Sequence, residues 1–94
     1  MLKNNMDDLD KNGNVGDWCF INSDTLIAIR YGEDAFTNTC ILPVAGNLVG
    51  SKPHWSWNGD REKPTLTPSI LVYKHEGFDD GWHGFLTDGE LKEV

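Results

Sequence analysis

Two cysteines in 94 residues are too few for a disulfide framework. Cys19 and Cys40 both lie in apolar stretches, where a free thiol behaves as a small hydrophobe. No apolar run approaches the ~18–20 residues that a membrane helix needs. The opening MLKNNMDDLDKNG also lacks the apolar centre of a signal peptide, so the expected location is the cytoplasm, with no membrane partner. Basic residues are scarce, eight against fifteen acidic ones, for a formal net charge of −7. With no Lys/Arg cluster to offset it, that charge argues against direct nucleic-acid binding. It suits a protein partner with a basic surface instead. Signatures of known enzymes are missing too: no nucleophile elbow, no Walker loop and no dinucleotide fingerprint. Ser69 has no base within its own segment, and the paired acids Asp79 and Asp80 sit in a Gly-rich loop. The residues therefore point to a non-enzymatic protein without a cofactor, and they nominate no catalytic residue.

Aromatic residues are plentiful. Trp18, Trp55, Trp57, Trp82, Phe20, Phe36, Phe78, Phe85, Tyr31 and Tyr73 can each bury roughly 150–250 Å². A chain this short hides only ~60–65% of its unfolded surface, so a few such rings supply most of one core. Residues 1–13 are polar and without sustained period, and read as a flexible N-terminal tail. Residues 14–94 read as a single β-rich domain. DWCFIN and TLIAIRY, separated by Asn22-Ser23-Asp24, form a hairpin pattern. Ile27, Ile29 and Tyr31 share one face of the second strand, and Leu26, Ala28 and Arg30 the other, as in a central strand. NTCILPV is a third strand, with Pro43 marking an edge. HWSWN alternates, with Trp55 and Trp57 on one side. TLTPSILVY is extended and interrupted by Pro68, and GWHGFLTDGELKEV reads as a terminal hairpin turning at Asp88-Gly89. Six or seven short strands of this kind predict a mainly β fold, a small antiparallel sandwich or partly open barrel. Exposed strand edges make a homodimer the expected form of self-association.

Three constellations are candidates for binding. Asp8, Asp10 and Asn12 match the opening of an EF-hand calcium loop, although Cys19 stands where the closing glutamate belongs. Cys19, Cys40, His54, His75 and His83 are residue types that bind zinc, but none of them form the close-spaced pairs of a structural site. The third is a Trp/His cluster: His54, Trp55 and Trp57 with Asp60, Arg61 and Glu62, joined by Trp82 and His83. Rings beside polar groups suit flat ligands such as nucleobases or sugars. The acids Asp79 and Asp80 complete the candidate contact surface.

The elements W-x-W-N-G at Trp55–Gly59, E-x-P-T-L-x-P-S-I-L at Glu62–Leu71 and H-x-F-x-x-D-G at His83–Gly89 occur in that order. Over residues 53–91 this pattern resembles a family of small phage and prophage proteins often labelled "ammonia monooxygenase". The label implies a membrane-bound metal oxidase, for which the chain has neither the spans nor the ligand set. The resemblance implies a phage or prophage gene product in the bacterial cytoplasm, an accessory protein that binds a host protein. The expected function is inhibition of a host defence or nucleic-acid-binding protein by direct contact. The alternatives are a small-ligand or metal-binding β domain built on the Trp/His cluster, and a minor virion component.

Overall fold

A computed structural model describes residues 1–44, 55–72 and 81–94. Strands dominate, as the period-2 patterning requires. β1 (Leu2–Lys3) leads into a helix, α1 (Met6–Asn12), and then into β2 (Trp18–Ile21), β3 (Leu26–Arg30) and β4 (Thr39–Pro43). These strands form one sheet in the order β1-β2-β3-β4, with β1 parallel to β2 and the other pairs antiparallel. β3 is central and buried through Ile27, Ala28 and Ile29, and β4 with Pro43 is the edge, both as its composition predicts. The turn between β2 and β3 holds Asn22, Ser23 and Asp24 at positive φ. Asn and Asp tolerate that left-handed backbone better than branched residues do.

The remaining strands are β5 (Ser56–Trp57), β6 (Leu66–Thr67), β7 (Ile70–Val72), β8 (Trp82–Thr87) and β9 (Glu90–Glu93). β5 and β6 form a two-stranded sheet, and β7-β8-β9 a three-stranded antiparallel one. The β8–β9 turn has Asp88 and Gly89 both at positive φ, the backbone a type I′ turn demands. One face of the first sheet supplies Trp18, Phe20, Ile27, Ile29 and Leu42 to a shared core. Leu66, Ile70 and Leu86 enter it from the two smaller sheets. Each buried aliphatic or aromatic side chain of this kind contributes about 1.5–3 kcal/mol by leaving water. The fold is thus mainly β, with nine short strands among the described residues in three small sheets, none closed into a barrel. No helix among the described residues is long and apolar enough to cross a membrane.

Residues 1–13 differ from the flexible tail expected of them. Asn5 caps α1 by accepting from the Asp8 N–H at 2.8 Å, Asp7 and Asp8 occupy its positive first turn, and Lys11 its last. Leu9, 1% exposed, packs on Cys19 and Ala28 across the opposite face of the first sheet. A single apolar residue creates no readable period. It is enough to seat two turns of helix when a sheet face offers a place for it.

Candidate functional site

The segment that links β5 to β7 is held by its own side chains. The Asn58 carboxamide oxygen accepts from the Asp60 and Thr65 N–H groups, both at 3.1 Å, while its amide donates to the Lys63 carbonyl at 3.2 Å. The Asp60 carboxylate accepts from the Glu62 and Lys63 N–H groups at 2.9 and 3.1 Å. The β8–β9 turn is tied to the same segment. The Asp88 N–H donates to Thr65 Oγ1, and the Gly89 N–H to the Pro64 carbonyl, both at 2.9 Å. The chain that leaves this knot through Leu66 and Thr67 therefore delivers Ser69 to a defined place at the head of β7.

At that place the sequence's missing base appears. Ile70 pairs with Gly84 and Leu71 with His83, so β7 and β8 run antiparallel with Ser69 diagonal to His83. Ser69 Oγ and His83 Nε2 are 3.1 Å apart. Both partners are fixed at the main chain. The Trp55 indole N–H donates to the Ser69 carbonyl at 3.2 Å, and the His83 carbonyl accepts from the Val94 N–H at 2.9 Å. On the inner side of β8, Trp82 stacks on Tyr31 with centroids 5.7 Å apart, its ring lying across Gly84. A hydroxyl hydrogen-bonded to an imidazole nitrogen is the arrangement that activates serine as a nucleophile. In the tautomer protonated on Nδ1, Nε2 accepts the serine proton.

The other candidates serve mainly to build the surroundings. Trp55 and Trp57 both pack against the core, and the Trp57 ring lies tilted against Phe20 with centroids 4.8 Å apart, while its N–H donates to the Asp60 carbonyl at 3.1 Å. Arg61 pairs with Asp24 and lies over the Phe20 ring at 4.8 Å, while Glu62 is exposed in the same turn. Asp60, Arg61 and Glu62 thus build the loop, and among the described members of the Trp/His cluster Trp55 and His83 meet at Ser69. His54, His75, Asp79 and Asp80 lie outside the described residues.

Among the described residues neither metal candidate assembles. Asp8, Asp10 and Asn12 lie in α1, not in an EF-hand loop. Positions two apart on a helix point to different sides, and the Asp8 carboxylate is already engaged by the Asn4 N–H at 3.0 Å and Asn12 at 2.9 Å. Those hydrogen bonds, the Asn4 one foremost, hold its pKa below the usual aspartate value. Cys19 faces α1 and Leu9, whereas Cys40 packs on the core at the other face of the same sheet. One ion cannot reach both. Burial pushes the Cys40 thiol up to about 12, and burial with the Asp8 charge raises that of Cys19, so neither is poised as a thiolate ligand. Among the described residues, no three His, Cys, Asp or Glu side chains come together to hold a metal.

A groove of about 460 Å³ between α1 and β4 is lined by Met6, Leu9, Phe36 and Ile41, with Asp7, Asp10 and Thr39 as its polar members. A second, of about 360 Å³, opens beside His83. Sequence reasoning missed Ser69 because its partner is fourteen residues away and only strand pairing joins them. The readable signal was a serine heading one strand and a histidine in the next. No curated protein and no solved structure matches the chain. Residues 11–94 match the family model described as "Bacterial ubiquitination-like system serine protease (BubE)", and the chain belongs to that family.

Proposed function

We propose that this protein is a serine hydrolase of a bacterial ubiquitination-like system. Ser69 acts as nucleophile and His83 as general base, cutting the acyl bond between a ubiquitin-like protein and the group attached to its C-terminal carbonyl. The observation that carries this reading is the 3.1 Å contact between Ser69 Oγ and His83 Nε2, in a chain of a family described as a serine protease.

The chemistry is that of acyl transfer through a serine ester. Ser69 Oγ attacks the substrate carbonyl carbon, forming a C–O bond as its proton passes to His83 Nε2. The tetrahedral intermediate collapses with cleavage of the C–N bond, and the imidazolium gives its proton to the leaving amine. Water then enters by the same route, with His83 taking its proton, and releases the acyl group as a carboxylate while Ser69 regains its hydrogen. Trp55 holds the nucleophile's backbone, and pairing of β8 with β7 and the Val94 N–H hold that of the base. Such preorganisation lets a two-residue device work on a small scaffold. Contact with a protein partner remains part of this reading, because the substrate is itself a protein.

Turnover of p-nitrophenyl acetate by the wild type, Ser69→Ala and His83→Ala tests it. Both variants are expected to stay folded, since neither side chain belongs to the core. Each is expected to lose about 10³-fold or more in rate. Cleavage of a ubiquitin-like protein extended at its C terminus, monitored by intact mass, then tests the substrate class. Equal esterolysis by all three proteins would remove the proposal.

A further inference from the structure

We infer that the groove between α1 and β4 is a docking site for a protein segment that carries an apolar anchor among lysines or arginines. The inference is independent of the Ser69–His83 reading. In the register of the first sheet Cys19, Ala28 and Ile41 stand side by side, on the face turned away from the shared core. α1 covers the first two through Leu9, whereas Ile41 beyond them is 50% exposed. Phe36, in the loop between β3 and β4, lines the opposite side of the groove and is 86% exposed. Apolar side chains gathered around a concavity mark a contact surface, unlike single exposed ones.

Arg30 ties the two walls together. Its guanidinium donates to the Gly13 carbonyl at the end of α1, at 2.6 Å, and to the Gly32 carbonyl before the loop, at 3.1 Å. Within the loop the Asp34 carboxylate accepts from the Phe36 N–H at 3.0 Å, and Thr39 Oγ1 donates to the Ala35 carbonyl at 2.7 Å. The exposed ring is thus mounted on a braced support, which lowers the ordering cost of binding.

Charge selects the occupant. The helix side presents Asp7 and Asp10, one turn apart, and no lysine or arginine lines the groove. Lys11 reaches Asp7 at 3.3 Å, but both groups are largely exposed, and a partner's cation can replace such a pair. A second copy docking by the same face would set these acids against themselves, whereas a basic segment meets them favourably. Ile70 and Leu86 point into the shared core, so Ser69 and His83, at alternating positions, face outward on the far side of the molecule. A partner in the groove therefore leaves Ser69 uncovered.

The test is fluorescence anisotropy with three labelled peptides of equal length: one of lysine and leucine, one of glutamate and leucine, and one of lysine and serine. The wild type is expected to bind the Lys/Leu peptide at least about tenfold tighter than either of the others. Phe36→Ser and Ile41→Thr change exposed side chains without altering charge, and each is expected to weaken that binding about tenfold with an unchanged circular dichroism spectrum. Asp7→Asn with Asp10→Asn is expected to weaken it at low salt and to flatten its salt dependence. Equal affinity for the Lys/Ser peptide, or affinity untouched by Phe36→Ser, is bulk attraction between opposite charges and overturns the inference. Preference for the Glu/Leu peptide overturns it too, as does a wild-type dimer in sedimentation that Phe36→Ser dissolves. Binding of none of the three at about 1 mM has the same consequence.

Discussion

Gly84 is the next residue after the proposed base in β8, and replacing it with alanine tests how the site is supported from beneath. A Cβ at this position would stand 2.3 Å from Trp82 Cη2 and 2.4 Å from the Lys92 carbonyl oxygen. Ordinary carbon contacts lie near 3.5–4.0 Å, so the neighbours must retreat by about 1 Å. The Trp82 ring can swing only by leaving Tyr31, and Lys92 can move only by loosening the β8–β9 pairing. Overpacking of this kind costs about 1–3 kcal/mol. For a domain of this size each kcal/mol lowers Tm by about 4–8 °C, so scanning calorimetry is expected to show a fall of about 5–20 °C. Near-UV circular dichroism is expected to lose part of the Tyr31–Trp82 signal. Because His83 rides on the same strand, a shift of about 1 Å is expected to cost up to about 10²-fold in esterolysis. A Gly84→Ala protein with wild-type Tm, near-UV spectrum and rate would refute the claim that Trp82 lies under the base.

Other parts of the fold carry their own expected outcomes. Leu9→Ala is expected to cost about 2–5 kcal/mol in urea unfolding, against almost nothing if the first thirteen residues were a tail. Trp55→Phe keeps the ring but removes the N–H that reaches Ser69, and is expected to lower kcat by less than about tenfold with little change in KM. Burial raises the Asp17 pKa, but hydrogen bonds from the Met1 ammonium and the Asn14 N–H, with the ammonium and Lys3 charges, outweigh it and bring the value below 3.8. A lowered carboxyl pKa stabilises the fold above the unfolded value and loses that effect as pH falls through the folded one. Asp17→Asn is therefore expected to flatten the acid limb of the stability profile below about pH 4. Cys40, with its pKa pushed up to about 12, is expected to react with a disulfide reagent at pH 8 only after unfolding.

The strands are legible in the sequence because their signals are local. Ile27 to Ile29 announce a central strand, Pro43 an edge, and Asp88-Gly89 a turn of known backbone. Alternation puts Trp55 and Trp57 on one side of their strand, and both do pack on the core. The helix is hidden because one leucine among charges has no period. The candidate site is half legible. His83 and Trp55 stand out for their chemistry, but nothing near Ser69 in the sequence offers it a base. The register that places Leu71 opposite His83 depends on two strands meeting across the chain. Local propensity does not encode that meeting, whereas burial of Ile70 and Leu86 on one face enforces it.

Catalysis by this protein would rest on one activated hydroxyl, and a fluorophosphonate probe combined with peptide mapping reads it directly. The expected result is stoichiometric labelling of Ser69 in the wild type, none at that peptide in Ser69→Ala, and a rate slowed at least about 10²-fold in His83→Ala. Label spread over other hydroxyls, or a His83→Ala protein labelled as fast as the wild type, would contradict it.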